Sequence, residues 1–268
     1  MNFRKISPLL VLLFIMFSGF ALHSEVNGVR FCDTDAEFFK APGEGADSKT
    51  VIILPGGGYQ GHAMDHEGYD WIPFFHRQGV NVVVLKYNLP YGNPDLPLTD
   101  VETTLLSLKE KAGQLDINPD KIGIMGFSAG GHLASTYATH TSGESQPAFQ
   151  ILFYPVISFD PAYVHEGSRD NLLGDVQNDQ ILEFYSNEKQ VKKDTPPAIL
   201  FHSDDDGFVP RENSVLYYLS LNKAGVPAAL HIYPVGGHGW GFRESFPYHD
   251  VMLEELAVWL KNLELPQK

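Results

Sequence analysis

Cysteine is nearly absent from this chain of 268 residues: Cys32 stands alone. An internal disulfide and a thiolate-cluster metal site are both excluded, so the fold must rest on its apolar core. Positive charge is also scarce, with 19 Lys and Arg against 33 Asp and Glu, a formal net charge of -14. Phosphate neutralisation needs clustered cations, so a nucleic-acid partner is excluded, and so is electrostatic attraction to anionic lipid. A neutral or weakly cationic substrate suits such a chain better. Beyond the N-terminus there is no long hydrophobic run, low-complexity tract, charge block or internal repeat.

The one long apolar run, Ile6 to Leu22, follows Arg4 and Lys5 and ends among Gly19, Ala21 and Ser24. A basic start, a short apolar middle and a small-residue end describe a secretory signal peptide, expected over residues 1–24. A membrane anchor fits less well, because Pro8, Ser18 and Gly19 interrupt a stretch already short for a bilayer. An exported protein, periplasmic or secreted and without stable membrane insertion after cleavage, is expected. Residues 25–268 then form one domain.

Within that domain, short apolar runs alternate with longer amphipathic segments. Val51 to Leu54, Val80 to Leu85, Lys121 to Met125, Phe149 to Tyr154, Ala198 to Phe201 and Ala229 to Tyr233 read as strands, most of them with the little polar alternation of strands buried on both faces. Val101, Leu105, Leu108, Ala112 and Leu115 mark one helix face, and Val215, Leu216 and Leu219 after Pro210 mark another. Met252, Leu256, Trp259 and Leu263 close the chain as a third. The alternation predicts an α/β fold with a mostly parallel central sheet flanked by helices. Residues 155–196 break the pattern with Pro, Asp, Asn and aromatics, and are expected to form a small cap over the strand ends. Val26 to Asp47 reads as one or two edge strands.

The chemistry concentrates at the strand ends. Gly126-Phe127-Ser128-Ala129-Gly130 joins a strand to a helix, the setting in which a GxSxG serine is held on a tight, exposed turn. A serine hydroxyl is a weak nucleophile and needs a base that is itself oriented by an acid. Both follow in the chain: the acids Asp204, Asp205 and Asp206 after one strand, and His238 in Gly236-Gly237-His238-Gly239 after the last. Asp206 opens Asp206-Gly207-Phe208-Val209-Pro210 and is favoured over Asp205 as the acid. Pro55-Gly56-Gly57-Gly58-Tyr59 allows backbone N–H groups to point into a site, so Gly57, Gly58 and Ala129 are expected to form an oxyanion hole. No GK[ST] follows this loop to make it a phosphate cradle. Tyr59, Tyr87 and Trp240 are expected to line the substrate pocket. His132 and His202 read as buried structural groups, and His62, His66 and Glu67 as capping or site-lining groups rather than metal ligands, since no HExxH pattern is present.

At these motifs the chain resembles exported α/β-hydrolases of the acetylxylan and feruloyl esterase type. The resemblance rests on Val51 to Tyr59, Asp65 to Gly68, Val84 to Tyr87, Gly126 to Ala134 and Gly236 to Trp240. It implies an α/β-hydrolase fold, a Ser128, Asp206 and His238 triad, and a serine esterase that needs no cofactor or metal. An acylated, most of all acetylated, plant polysaccharide or oligosaccharide such as xylan is the implied substrate. A serine peptidase of the prolyl-oligopeptidase type and a feruloyl or other small-ester esterase are the alternatives. Family members often carry Arg where this chain has Asn88.

Overall fold

The computed structural model describes residues 28–265, so the expected signal peptide lies outside the described residues. The chain opens with two short strands, β1 (Val29–Arg30) and β2 (Ala36–Phe39), in the stretch read as edge strands. There follow β3 (Thr50–Leu54), α1 (Ile72–Arg77), β4 (Asn81–Leu85), α2 (Asp95–Glu110), α3 (Ala112–Leu115), β5 (Ile122–Phe127), α4 (Ser128–His140) and β6 (Gln150–Phe153). Two cap helices, α5 (Glu166–Leu173) and α6 (Asp179–Phe184), precede β7 (Ala198–Ser203), α7 (Glu212–Ala224), β8 (Ala228–Tyr233) and α8 (His249–Asn262). The strands form a single sheet of order β1-β2-β4-β3-β5-β6-β7-β8, with β1 and β2 antiparallel and the rest parallel.

Side-chain alternation explains why the strands are apolar throughout. Ile52 and Leu54 of β3 face a core shared with α2, α4 and α7, while Val51 and Ile53 face a second core shared with α1 and α8. Every residue of β3, β4, β5, β6 and β7 is buried, as the two-sided cover of a parallel sheet demands. β8, at the open edge, is half-exposed along most of its length.

Two helical stripes differ from the sequence pattern. The stripe from Val101 to Leu115 is divided: α2 ends at Glu110, and α3 is a separate turn closed by Asp116 in the left-handed region (φ 55°). In α7 the apolar pattern misplaces the buried face. Leu219 is exposed, whereas Asn213, Ser214, Tyr217 and Leu221 are buried. Polar partners set this face. Asn213 Oδ1 accepts from Ile157 N and Ser158 N, the Ser214 hydroxyl lies 2.7 Å from His202 Nδ1, and Tyr217 donates to Gln150 Oε1. Once buried, such groups must be satisfied, and here they are.

The site lies where chain order reverses in the sheet. From β3 the chain passes to β4 on one side and then to β5 on the other, so the loops after β3 and β5 part above adjacent strands, with Leu54 registered on Gly126.

Candidate active site

The GxSxG turn is built by close backbone contact. A Cβ on Gly126 would stand 2.2 Å from Gly130 O, and one on Gly130 2.2 Å from Leu54 O, so neither position admits a side chain. Between them Ser128 opens α4 with φ 50°, a left-handed conformation that costs a non-glycine residue on the order of 1 kcal/mol or more. The strain turns the hydroxyl out of the helix and toward the loop after β8.

There His238 Nε2 accepts the Ser128 hydroxyl at 2.8 Å, and His238 Nδ1 donates to Asp206 Oδ2 at 2.7 Å. The three consecutive acids divide their tasks. Asp204 pairs with Arg211, Asp205 Oδ1 accepts Gly237 N at 2.7 Å and so anchors the histidine loop, and Asp206 meets His238 itself. The Asp206 side chain is fully buried. Burial alone would raise its pKa, but hydrogen bonds from His202 and His238, the charge of His238 and the Val209 N–H outweigh burial and hold it well below the ordinary value of 3.8. Phe208 N and Val209 N both donate to Oδ1 at 2.9 Å. His202 is indeed buried, yet it also faces the site. Its Nε2 lies 3.0 Å from Val209 O and 3.3 Å from Asp206 Oδ2, so that nitrogen carries the proton and is a second donor to the acid.

The glycine loop beside Ser128 runs through Gly57 at φ 140° and Gly58 at φ 62°. Ala129 is the second residue of α4, where helix geometry leaves N–H groups without intrahelical acceptors. The cap reaches this loop directly, since Asn171 of α5 donates to Gly58 O at 2.8 Å. His165, at the head of α5, lies in the electrostatic field of the site; burial, then the charge of His238, pushes its pKa down.

The three aromatic residues expected in the pocket wall are buried. Tyr59, Tyr87 and Trp240 are only 2%, 1% and 4% exposed, with their polar tips committed within the protein. Tyr59 donates to His132 Nδ1, Tyr87 to Pro55 O and Trp240 to Ser203 Oγ. An aromatic with a satisfied polar tip packs under a loop as readily as it faces a ligand, and these three brace the loops from beneath. The aromatic that does stand open beside the site is Phe208, 70% exposed with its ring 6.0 Å from that of His238. Its place inside the Asp206–Pro210 turn was the available signal. Asn88 is folded onto Asp100 of α2.

Among the described residues no three His, Cys, Asp or Glu side chains gather to hold a metal ion. His62 lies edge-on against Tyr87, and His66 contributes its carbonyl, which accepts from Trp71 Nε1 and Phe242 N. A hydroxyl hydrogen-bonded to an imidazole, itself held by a buried carboxylate, is equipped for nucleophilic attack on an acyl carbon.

The BD-FAE family model matches residues 37–221. An acetylxylan esterase of Xylanibacter ruminicola is 39% identical over 84% of this chain and 48% of its own length. Endo-1,4-β-xylanase B of Butyrivibrio fibrisolvens is 34% identical over 70% of this chain and 32% of its own. The chain therefore spans about half or less of the length of these two curated relatives. Among solved structures, an acetyl ester-xyloside bifunctional hydrolase from Caldicellulosiruptor lactoaceticus superposes with a TM-score of 0.78 at 33% identity, covering 84% of this chain and 87% of that one.

Proposed function

The chain belongs to the BD-FAE family and has the α/β-hydrolase fold, and from that premise we propose that it is a serine esterase removing acetyl groups from xylan-derived material. The observation that carries the reading is the unbroken chain from Ser128 Oγ through His238 to Asp206 Oδ2, with links of 2.8 and 2.7 Å, standing beside a glycine loop at the sheet's switch point. The named activities of the relatives supply the substrate class.

Ser128 Oγ attacks the ester carbonyl carbon while His238 Nε2 takes its proton. Asp206 keeps the Nδ1 proton of His238 in place and balances the imidazolium as it forms. The N–H groups of Gly57, Gly58 and Ala129 receive the negative charge that develops on the carbonyl oxygen, each such donor being worth about 3 kcal/mol. The tetrahedral species collapses, the C–O bond to the sugar breaks, and His238 returns its proton to the departing hydroxyl oxygen. Water, deprotonated by His238, then attacks the acetyl-Ser128 ester, and collapse of the second tetrahedral species frees acetate and restores the serine. These steps require no metal or organic cofactor. The apolar run from Ile6 to Leu22 supports export of the mature enzyme, periplasmic or secreted.

The test is acetate release from acetylated xylo-oligosaccharides, by wild type beside Ser128→Ala. Release by wild type alone is expected. Activity on 4-nitrophenyl acetate without release from the oligosaccharides would remove the xylan assignment. Cleavage of a proline-linked anilide in place of esters would favour a peptidase. Equal activity of the two proteins would sink the role of Ser128.

A further inference from the structure

Glu67, in the turns between the glycine loop and α1, is not used by the mechanism above, yet it is buried to 3% exposure behind the nucleophile. Gly56 separates the two. A Cβ added to Gly56 would lie 2.7 Å from Glu67 Oε2 and 3.0 Å from Ser128 Cβ. A carboxylate in such a place must find donors, and it has two. Gly56 N donates to Oε2 at 2.8 Å, and the Tyr154 hydroxyl donates to Oε1 at 2.7 Å.

The second link continues. Tyr154 Oη accepts the N–H of Gly241 at 2.8 Å, three residues beyond His238. Burial and then the nearby Glu67 charge raise the Tyr154 phenol well above its ordinary pKa, so the hydroxyl keeps its proton. That single proton goes to Glu67, because Gly241 already fills the donor side of the pair. The Tyr154 ring lies edge-on to His238 at 4.8 Å, and its backbone is held at φ 35°. From the residue before Glu67, His66 O accepts Phe242 N at 2.7 Å, a parallel tie to the same loop.

We propose that Glu67 is a positioning residue that fixes the glycine loop and the histidine loop relative to each other through Gly56 on one side and Tyr154–Gly241 on the other. The proposal rests on the esterase reading of the site. Donor and acceptor counting explains why the residue is an acid. Gly56 N–H and Tyr154 O–H both need acceptors, and a carboxylate supplies two, whereas a glutamine supplies one acceptor and one amide nitrogen. With glutamine, either the Gly56 N–H or the Tyr154 O–H loses its acceptor, in a position where water cannot replace it. The loop left unpaired then drifts from the geometry the oxyanion requires, and displacements near 1 Å cost about 100-fold in rate.

The experiment compares wild type, Glu67→Gln, Tyr154→Phe and the double variant on 4-nitrophenyl acetate, with Ser128→Ala as control and a melting curve for each. Glu67→Gln is expected to lose about 10- to 100-fold in kcat with KM within about threefold. Binding of a boronic acid, which forms a tetrahedral adduct on Ser128, should weaken in parallel with kcat. Tyr154→Phe keeps the Gly56 link but removes the acceptor of the Gly241 N–H together with the donor to Glu67, and is also expected to lose kcat. The double variant should lose less than the product of the two single losses, because both substitutions break the same series of links between the loops. A folded Glu67→Gln with wild-type kcat and boronate affinity would overturn the proposal. If Glu67→Gln does not fold, a folded Tyr154→Phe with unchanged kcat and boronate affinity overturns it instead. Full activity in Ser128→Ala would remove the esterase reading, and the proposal with it, whatever the Glu67 variants do.

Discussion

Replacing Asp206 by asparagine changes one atom and leaves the shape of the turn intact. Oδ1 accepts two backbone N–H groups at 2.9 Å, from Phe208 and Val209, so the asparagine oxygen is expected to stay there. Its amide nitrogen then replaces Oδ2 and presents protons to His238 Nδ1, 2.7 Å away, and to His202 Nε2, 3.3 Å away. His238 can meet a donor at Nδ1 only by carrying its proton on Nε2, the nitrogen that must receive the proton of Ser128. The reverse amide orientation would aim its N–H groups at two backbone donors and lose two hydrogen bonds. The preferred variant state is therefore a folded protein with the wrong imidazole tautomer, a change that costs about 10⁴ in kcat in a serine protease, or about 5.5 kcal/mol of transition-state stabilisation. Single-turnover and steady-state hydrolysis of 4-nitrophenyl acetate at neutral pH would measure it, with thermal melting to establish that the variant is folded. A kcat within tenfold of wild type would refute the tautomer argument and assign the acid's work to another group.

The same carboxylate shapes the acid limit of stability. Its folded pKa lies below the ordinary 3.8, so the stabilisation it contributes is present above that value and is lost as pH falls below it. Unfolding curves between about pH 5 and 2 should therefore fall more steeply for wild type than for Asp206→Asn, and parallel curves would contradict this linkage. On the esterase reading, Phe208, open beside His238, would offer a flat apolar face to the sugar side of an ester. Phe208→Ala is expected to raise KM for acetylated xylo-oligosaccharides several-fold while leaving 4-nitrophenyl acetate kinetics nearly unchanged; equal effects on both substrates would deny that role.

The central strands were legible because most are short, nearly unbroken apolar runs, which is what a strand covered on both faces looks like. The face of α7 was not, since hydrogen bonds between separate elements draw Asn213 and Ser214 inward and leave Leu219 in solvent. The nucleophile turn is local in sequence and could be read from five residues. Which of three adjacent acids reaches His238 depends on how the loops after β7 and β8 meet, and only the folded chain separates Asp205 on Gly237 from Asp206 on His238. The burial of Tyr59, Tyr87 and Trp240 was hidden for a related reason: their positions at strand ends were visible, but not the acceptors that hold their polar tips inward. Glu67 carried still less signal, because its partners Gly56, Tyr154 and, through Tyr154, Gly241 are scattered along the chain.

The left-handed backbone at Ser128 sets activity and durability against each other at a single Cα. Glycine adopts φ near 50° without steric penalty, so Ser128→Gly should melt above Ser128→Ala, by on the order of 1 kcal/mol, both having lost the hydroxyl. A melting temperature at or below that of Ser128→Ala would show that the turn is unstrained. If the strain is there, descendants released from their substrate would gain robustness by discarding this serine first, so an inert relative would keep the whole scaffold and lack only the hydroxyl.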